Sequence, residues 1–217
     1  MKNDSLKLFG GLSLAVGAPL AFIFFLIQPG GILISTAEVS DATGVMAAAL
    51  SHPALTNLTA MLIALGLAMM TFGLYTVQSS VPSSGMLGAL TKAGFILLAY
   101  GILGWIIAQG LTLILADQSS EPVYLVRLAI LLMSGLTIAL GFLIFSLALA
   151  TRDGWGRIAA LIVAAASLVA LVCYVVGISS SDLLDPTIKI ARICYVFWVI
   201  WSILLGVGLV RSHDSAS

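Results

Sequence analysis

Six apolar runs, each long enough to cross a bilayer, fill most of this 217-residue chain. A spanning helix needs roughly 20 mostly apolar residues, because the hydrocarbon core is about 30 Å thick and a helix rises about 1.5 Å per residue. The runs lie at about 6–28, 53–78, 86–116, 122–150, 156–178 and 187–210. Backbone polar groups must be satisfied within lipid, so helices are the expected form. Strands of a membrane barrel would alternate apolar and polar residues, and a stretch such as Ala21 to Ile27 does not. The sequence therefore predicts an all-α, polytopic six-transmembrane-helix bundle. The connections are short, so the whole chain is read as a single integral membrane domain.

Charge sets the orientation. Nine Lys or Arg and nine Asp or Glu are all the chain carries, and they cancel. Basic residues mark the cytoplasmic side of a membrane protein. Lys2, Lys7, Lys92, Arg152, Arg157 and Arg211 fall at one set of helix ends, and Arg127, Lys189 and Arg192 at the other. Both termini are thus predicted to be cytoplasmic. A positive end followed by an apolar stretch resembles a signal peptide, but an ordinary signal core spans about 7–15 residues. The first run is longer and reads as an uncleaved span.

The longest connection, about 29–51, is predicted to be external. Ser35 and Glu38 fit a capping box, and Val39, Ala42, Met46 and Leu50 follow at helical spacing. That pattern reads as a short helix on the outer surface, with a plain apolar loop as the alternative. Pro19 should disturb the first span by removing a helix hydrogen bond. Pro53, Pro122 and Pro186 sit where spans begin, a position that tolerates proline, and Asp185 is the expected N-cap of the sixth span.

Small and polar residues recur every seven positions: His52, Thr59, Gly66 and Gly73; Gly94, Gly101 and Ala108; Arg127, Ser134, Gly141 and Ala148; Ala159, Ala166, Cys173 and Ser180. A seven-residue repeat keeps one helix face against a neighbour. Small side chains let backbones approach where no hydrophobic force drives helices together. Cys173 and Cys194 lie within spans and read as small packing residues.

One polar cluster stands out. Arg127 and Arg192 lie several residues inside their spans and Lys189 one turn shallower; charge at such depth faces a bundle or water. His52, Gln109, Tyr124 and Tyr195 fall in the same predicted outer half, with Thr112, Trp105 and Tyr174 near them. Two readings are open. The cluster is a site for an anionic or lipid-like amphipathic ligand, since arginine presents a fork of donors suited to carboxylate or phosphate. Otherwise these cations snorkel to the interface, or pair with Glu121, Asp117, Asp182 and Asp185. Trp155 reads as an interface anchor.

Several chemistries find no residues. The histidines are His52 and His213 alone, which gives no paired-histidine haem site and no zinc motif. No carboxylate lies mid-span for an ion relay, and no nucleophile or phosphate-loop motif is present. Enzymatic activity, a metal and a cofactor are therefore not expected. A balanced charge offers nucleic acid no basic surface. The expected partner is membrane lipid, with spare helix faces for a membrane-protein partner or a homo-oligomer. A small transporter or channel component, using the cluster as its external vestibule, is the alternative function. Its polar path beyond the cluster would be thin: Thr71, Ser134, Thr137, Ser146 and Ser202.

The first span ending in Gln28-Pro29-Gly30, the stretch from His52-Pro53 to Gly73-Leu74-Tyr75, and the basic turn from Arg152 to Arg157 resemble uncharacterised six-helix bacterial inner-membrane proteins. The resemblance implies a bacterial inner-membrane location and carries no catalytic residues.

Overall fold

The computed structural model describes residues 2–82, 84–151 and 155–214. Of the basic turn from Arg152 to Arg157, residues 152–154 lie outside the described residues, as do the side chains of Trp155 and His213. Seven helices make up the described chain: α1 Lys2–Ile27, α2 Ala42–Ser51, α3 Pro53–Ser79, α4 Gly85–Leu115, α5 Glu121–Leu149, α6 Trp155–Ser179 and α7 Ser181–Asp214. Six of them are long and apolar enough to cross a membrane, and α2 is the short one.

The six long helices form a closed ring in chain order. Each packs on its neighbours in sequence, and α7 returns to α1. Short connections make the neighbours antiparallel. α2 lies across one end of the ring, on α3, α4 and α5. That end is called the α2 end below, and the opposite end, where α1 starts and α7 finishes, the far end.

The outside of the ring is apolar. Phe9, Val16 and Ile23 on α1, Tyr100, Leu103 and Ile107 on α4, and Ile193, Ile200 and Leu204 on α7 are all exposed. A bundle in water carries its charge on such faces. Here the outward stripes suit hydrocarbon, and the protein is a multi-pass integral membrane protein.

Glycine sets the ring's spacing, as the seven-residue pattern predicts. A Cβ on Gly66 would lie 2.6 Å from both the Gly17 carbonyl oxygen and the Ala21 nitrogen, so α1 and α3 touch backbone to backbone. A Cβ on Gly94 would lie 2.7 Å from the Phe145 nitrogen, and one on Gly141 2.8 Å from the Leu98 nitrogen, which closes α4 on α5. Gly11 and Gly206 do the same for α1 and α7 towards the far end, each meeting the other's carbonyl oxygen at 2.7 and 2.6 Å. With no hydrophobic gain from leaving lipid, such close packing is what holds membrane helices together.

Two local expectations are corrected. The capping box at Ser35 and Glu38 does not form; Ser35 has a left-handed backbone (φ 45°) and α2 starts later, at Ala42. Its cap is Asp41, whose Oδ1 accepts from the Gly44 N–H at 2.9 Å. Asp185 does not cap the last span either. Ser180 alone separates α6 from α7, so the helix restarts at Ser181 and carries Asp185 and Pro186 inside it. The Asp185 carboxylate accepts instead from the Ser40 N–H at 3.1 Å and from the Ser40 hydroxyl.

Candidate functional site

Residues 28–41 form a strap across the α2 end, and polar side chains from three helices meet at or beneath it. Its start is fixed by Gln28, whose Nε2 donates to Oε1 of Gln109 on α4 at 2.8 Å in the buried interior. Gly30 then turns the chain with φ 78°, a conformation that favours glycine. Further along, the buried Tyr124 of α5 donates its hydroxyl to the Val39 carbonyl. On α7, Asp185 holds Ser40, and Lys189 Nζ lies 2.9 Å from Glu38 Oε1. The strap is thus tied to α4, α5 and α7.

The predicted cluster is drawn together only in part. Arg127 turns towards α4, where its Nε donates to Thr112 Oγ1 at 2.7 Å. Tyr124 is spent on the strap. His52 stands exposed at the corner between α2 and α3 and makes no side-chain capping bond. Gln109, Arg192 and Tyr195 share a cavity, and Lys189 shares a second, wider space with Arg192. Among the described residues, none of Glu121, Asp117, Asp182 and Asp185 forms an ion pair with these cations; Glu38 is the acid that does.

The first space is a partly open cavity of about 120 Å³ within the ring. Its walls are mostly apolar, with Gln109, Arg192, Tyr174 and Tyr195 as the polar groups. The hydroxyls of Tyr174 and Tyr195 hydrogen-bond each other in the buried interior. Aromatic rings fix the wall. Tyr195 stacks on Trp198 (centroids 5.1 Å apart) and meets the edge of Trp105 (5.3 Å). Trp198 stacks on Phe142 (4.8 Å) and donates its indole N–H to Ser167 Oγ at 2.9 Å. Trp105 donates to the Leu131 carbonyl at 3.2 Å. Both indole donors are therefore satisfied within the bundle, as burial requires.

The second space is a groove of about 560 Å³ between α1 and α7, roofed by the strap. Phe22, Leu26, Ile193 and Val196 supply its apolar walls; Glu38, Lys189 and Arg192 gather at its strap end. Phe22 and Arg192 line both spaces. The Arg192 guanidinium sits over the Phe25 ring, 5.7 Å from its centroid, a cation–π contact. Phe25 also packs against Tyr195, with centroids 5.9 Å apart. Arg192 forms no ion pair among the described residues, and the nearby acids are engaged elsewhere: Glu38 with Lys189, Asp185 with Ser40, Asp41 with Gly44.

Sequence reasoning missed Gln28, Phe25 and the pairing role of Glu38. Gln28 carried a weak signal, an amide closing an otherwise apolar run beside the only other deep glutamine, Gln109. Phe25 carried none, being one aromatic residue in an apolar run. Comparison with known proteins adds no further assignment: no protein-family model, curated protein or solved structure matches the chain.

Proposed function

We propose that this membrane protein binds an anionic, lipid-like amphiphile in the groove between α1 and α7, with Arg192 taking the headgroup. The observation that carries the reading is Arg192 itself: a cation inside a span, open to a groove of ligand size, with no ion-pair partner among the described residues and with Glu38, Asp185 and Asp41 bonded to other groups. A charge at such depth is costly unless it faces a partner or water. An incoming carboxylate, sulfate or phosphate supplies that partner, and charge-assisted hydrogen bonds to a guanidinium are among the stronger ones. Lys189 adds a second positive charge, and the walls below it suit a hydrocarbon tail. The groove's volume of about 560 Å³ falls in the range of roughly 300–1,000 Å³ typical of small-molecule sites. The excess of Lys and Arg at the far end supports cytoplasmic termini, and with that orientation the groove would lie in the outer leaflet.

Native mass spectrometry of the protein gently extracted from its own membrane tests this. A retained anionic amphiphile that is lost in Arg192→Gln and kept in Arg192→Lys is the expected result. A ligand-free wild type that also takes up no added anionic amphiphile would overturn the reading. A co-purifying protein chain on the bare groove would replace it with a subunit role.

A further inference from the structure

The cavity within the ring has a polar edge rich in unspent donors, and these specify an occupant independent of the groove. Gln109 is 5% exposed, and its one side-chain hydrogen bond runs through Oε1, which accepts from Gln28 Nε2 at 2.8 Å. Its own Nε2 carries two protons and has no partner among the described residues. The buried hydroxyls of Tyr174 and Tyr195 bond each other and no other described residue. Two hydroxyls joined by one hydrogen bond spend one proton and keep one. Both tyrosines line the cavity together with Gln109.

The rest of the lining does not use these protons. Trp105 and Trp198 donate to the Leu131 carbonyl and to Ser167. Arg192, the remaining polar side chain on the wall, is itself a donor only. The other lining side chains are apolar. A buried donor without an acceptor is costly, and an acceptor oxygen on a guest removes that cost.

Size limits the guest. The cavity holds about 120 Å³, a little less than the roughly 150 Å³ of an apolar cavity that binds benzene. One small ring is therefore the largest body it takes. Charge is selected against as well. An anion reaches Arg192 from the groove without entering the ring, whereas in the cavity it would exchange water for mostly apolar walls.

We infer that the ring cavity is a second binding site, for a small uncharged one-ring carbonyl compound of the cyclic-ketone or quinone type. The carbonyl oxygen accepts from Gln109 Nε2 and the unspent tyrosine hydroxyl, and the ring lies among the apolar walls.

The test uses the full chain in a non-ionic detergent and a matched pair of probes. Cyclohexanone carries the carbonyl, and methylenecyclohexane has the same shape with no acceptor. Binding is read as a saturable rise in melting temperature. Cyclohexanone should bind about tenfold more tightly, as one or two net hydrogen bonds give. That advantage should shrink in Gln28→Leu with Gln109→Leu, which removes the amide donors without stranding one, and in Tyr174→Phe with Tyr195→Phe. Methylenecyclohexane should bind these variants as it binds the wild type, which shows that the cavity is intact. The wild type gives a reading that needs no variant. The infrared carbonyl band of bound ¹³C-labelled cyclohexanone should lie below its position in hexane. A bound band at the hexane position, or equal binding of the two probes, overturns the assignment and leaves the donors to water only. Tighter binding of benzoate than of cyclohexanone in the cavity overturns the uncharged class. If neither probe binds, the cavity is no site for a ring of this size, and the groove reading is untouched.

Discussion

Lys189 Nζ lies 2.9 Å from Glu38 Oε1, joining the last span to the strap at the mouth of the groove. The two side chains are 62% and 60% exposed, and pairs this open contribute roughly 0–1 kcal/mol. Glu38 thus holds Lys189 weakly, where an anionic headgroup would compete for it. Glu38→Gln should leave the melting temperature nearly unchanged and strengthen binding of an added anionic amphiphile, hexadecanoate, by about a few-fold. The gain should shrink as salt is raised, because exposed charges are screened over about 10 Å at 0.1 M. Weaker binding in Glu38→Gln would mean that Glu38 helps to hold the ligand rather than competing with it.

The amides of Gln28 and Gln109 meet at 2.8 Å in the buried interior. Losing one partner strands the other, at a cost of about 1–3 kcal/mol. Gln28→Leu and Gln109→Leu should each lower stability by that order, measured by thermal unfolding in detergent. The double variant should recover part of the loss, since no buried amide is then left unpaired. Strictly additive losses would show that the pair contributes little as a pair.

Steric need separates the glycines. A Cβ on Gly66 meets backbone at 2.6 Å, whereas one on Gly110 meets nothing within 4 Å. Gly66→Val should push α3 off α1 and cost about 1–3 kcal/mol, the usual penalty for overpacking. Gly110→Ala should be neutral or slightly stabilising, because alanine favours a helix over glycine by about 1 kcal/mol. Equal effects at the two positions would contradict the packing described.

Orientation can be read by labelling intact cells. In a background with Cys173→Ala and Cys194→Ala, a single cysteine is introduced at Ser80, an exposed residue at the far end, or at Ser119, an exposed residue at the α2 end. With cytoplasmic termini, a membrane-impermeant maleimide should label Ser119→Cys and leave Ser80→Cys unlabelled until the cells are opened. The reverse pattern would move the groove to the cytoplasmic leaflet.

The spans were legible along the chain because lipid imposes a one-dimensional rule: about 20 apolar residues make a crossing wherever they occur. The close helix contacts were legible for a related reason. Gly66, Gly94 and Gly141 advertise backbone approach by lacking a side chain, and they recur at the spacing that keeps one face turned inward. Which helix each would touch was not written in that spacing. The ring order, with α7 closing on α1, brings Gly206 to Gly11 across nearly the whole chain.

The polar cluster divided for the same reason. Depth along a span follows from counting residues, so Arg127, Arg192 and Gln109 were placed near one level. Direction around the helix axis and the identity of the facing side chain depend on how the ring closes. That closure hands Arg127 to Thr112, Tyr124 to Val39 and Lys189 to Glu38, while Arg192 is left on the wall shared by groove and cavity. Hydropathy acts locally and survives in any arrangement of the helices. A hydrogen bond acts over about 3 Å, so its partners are settled only when distant segments are packed together.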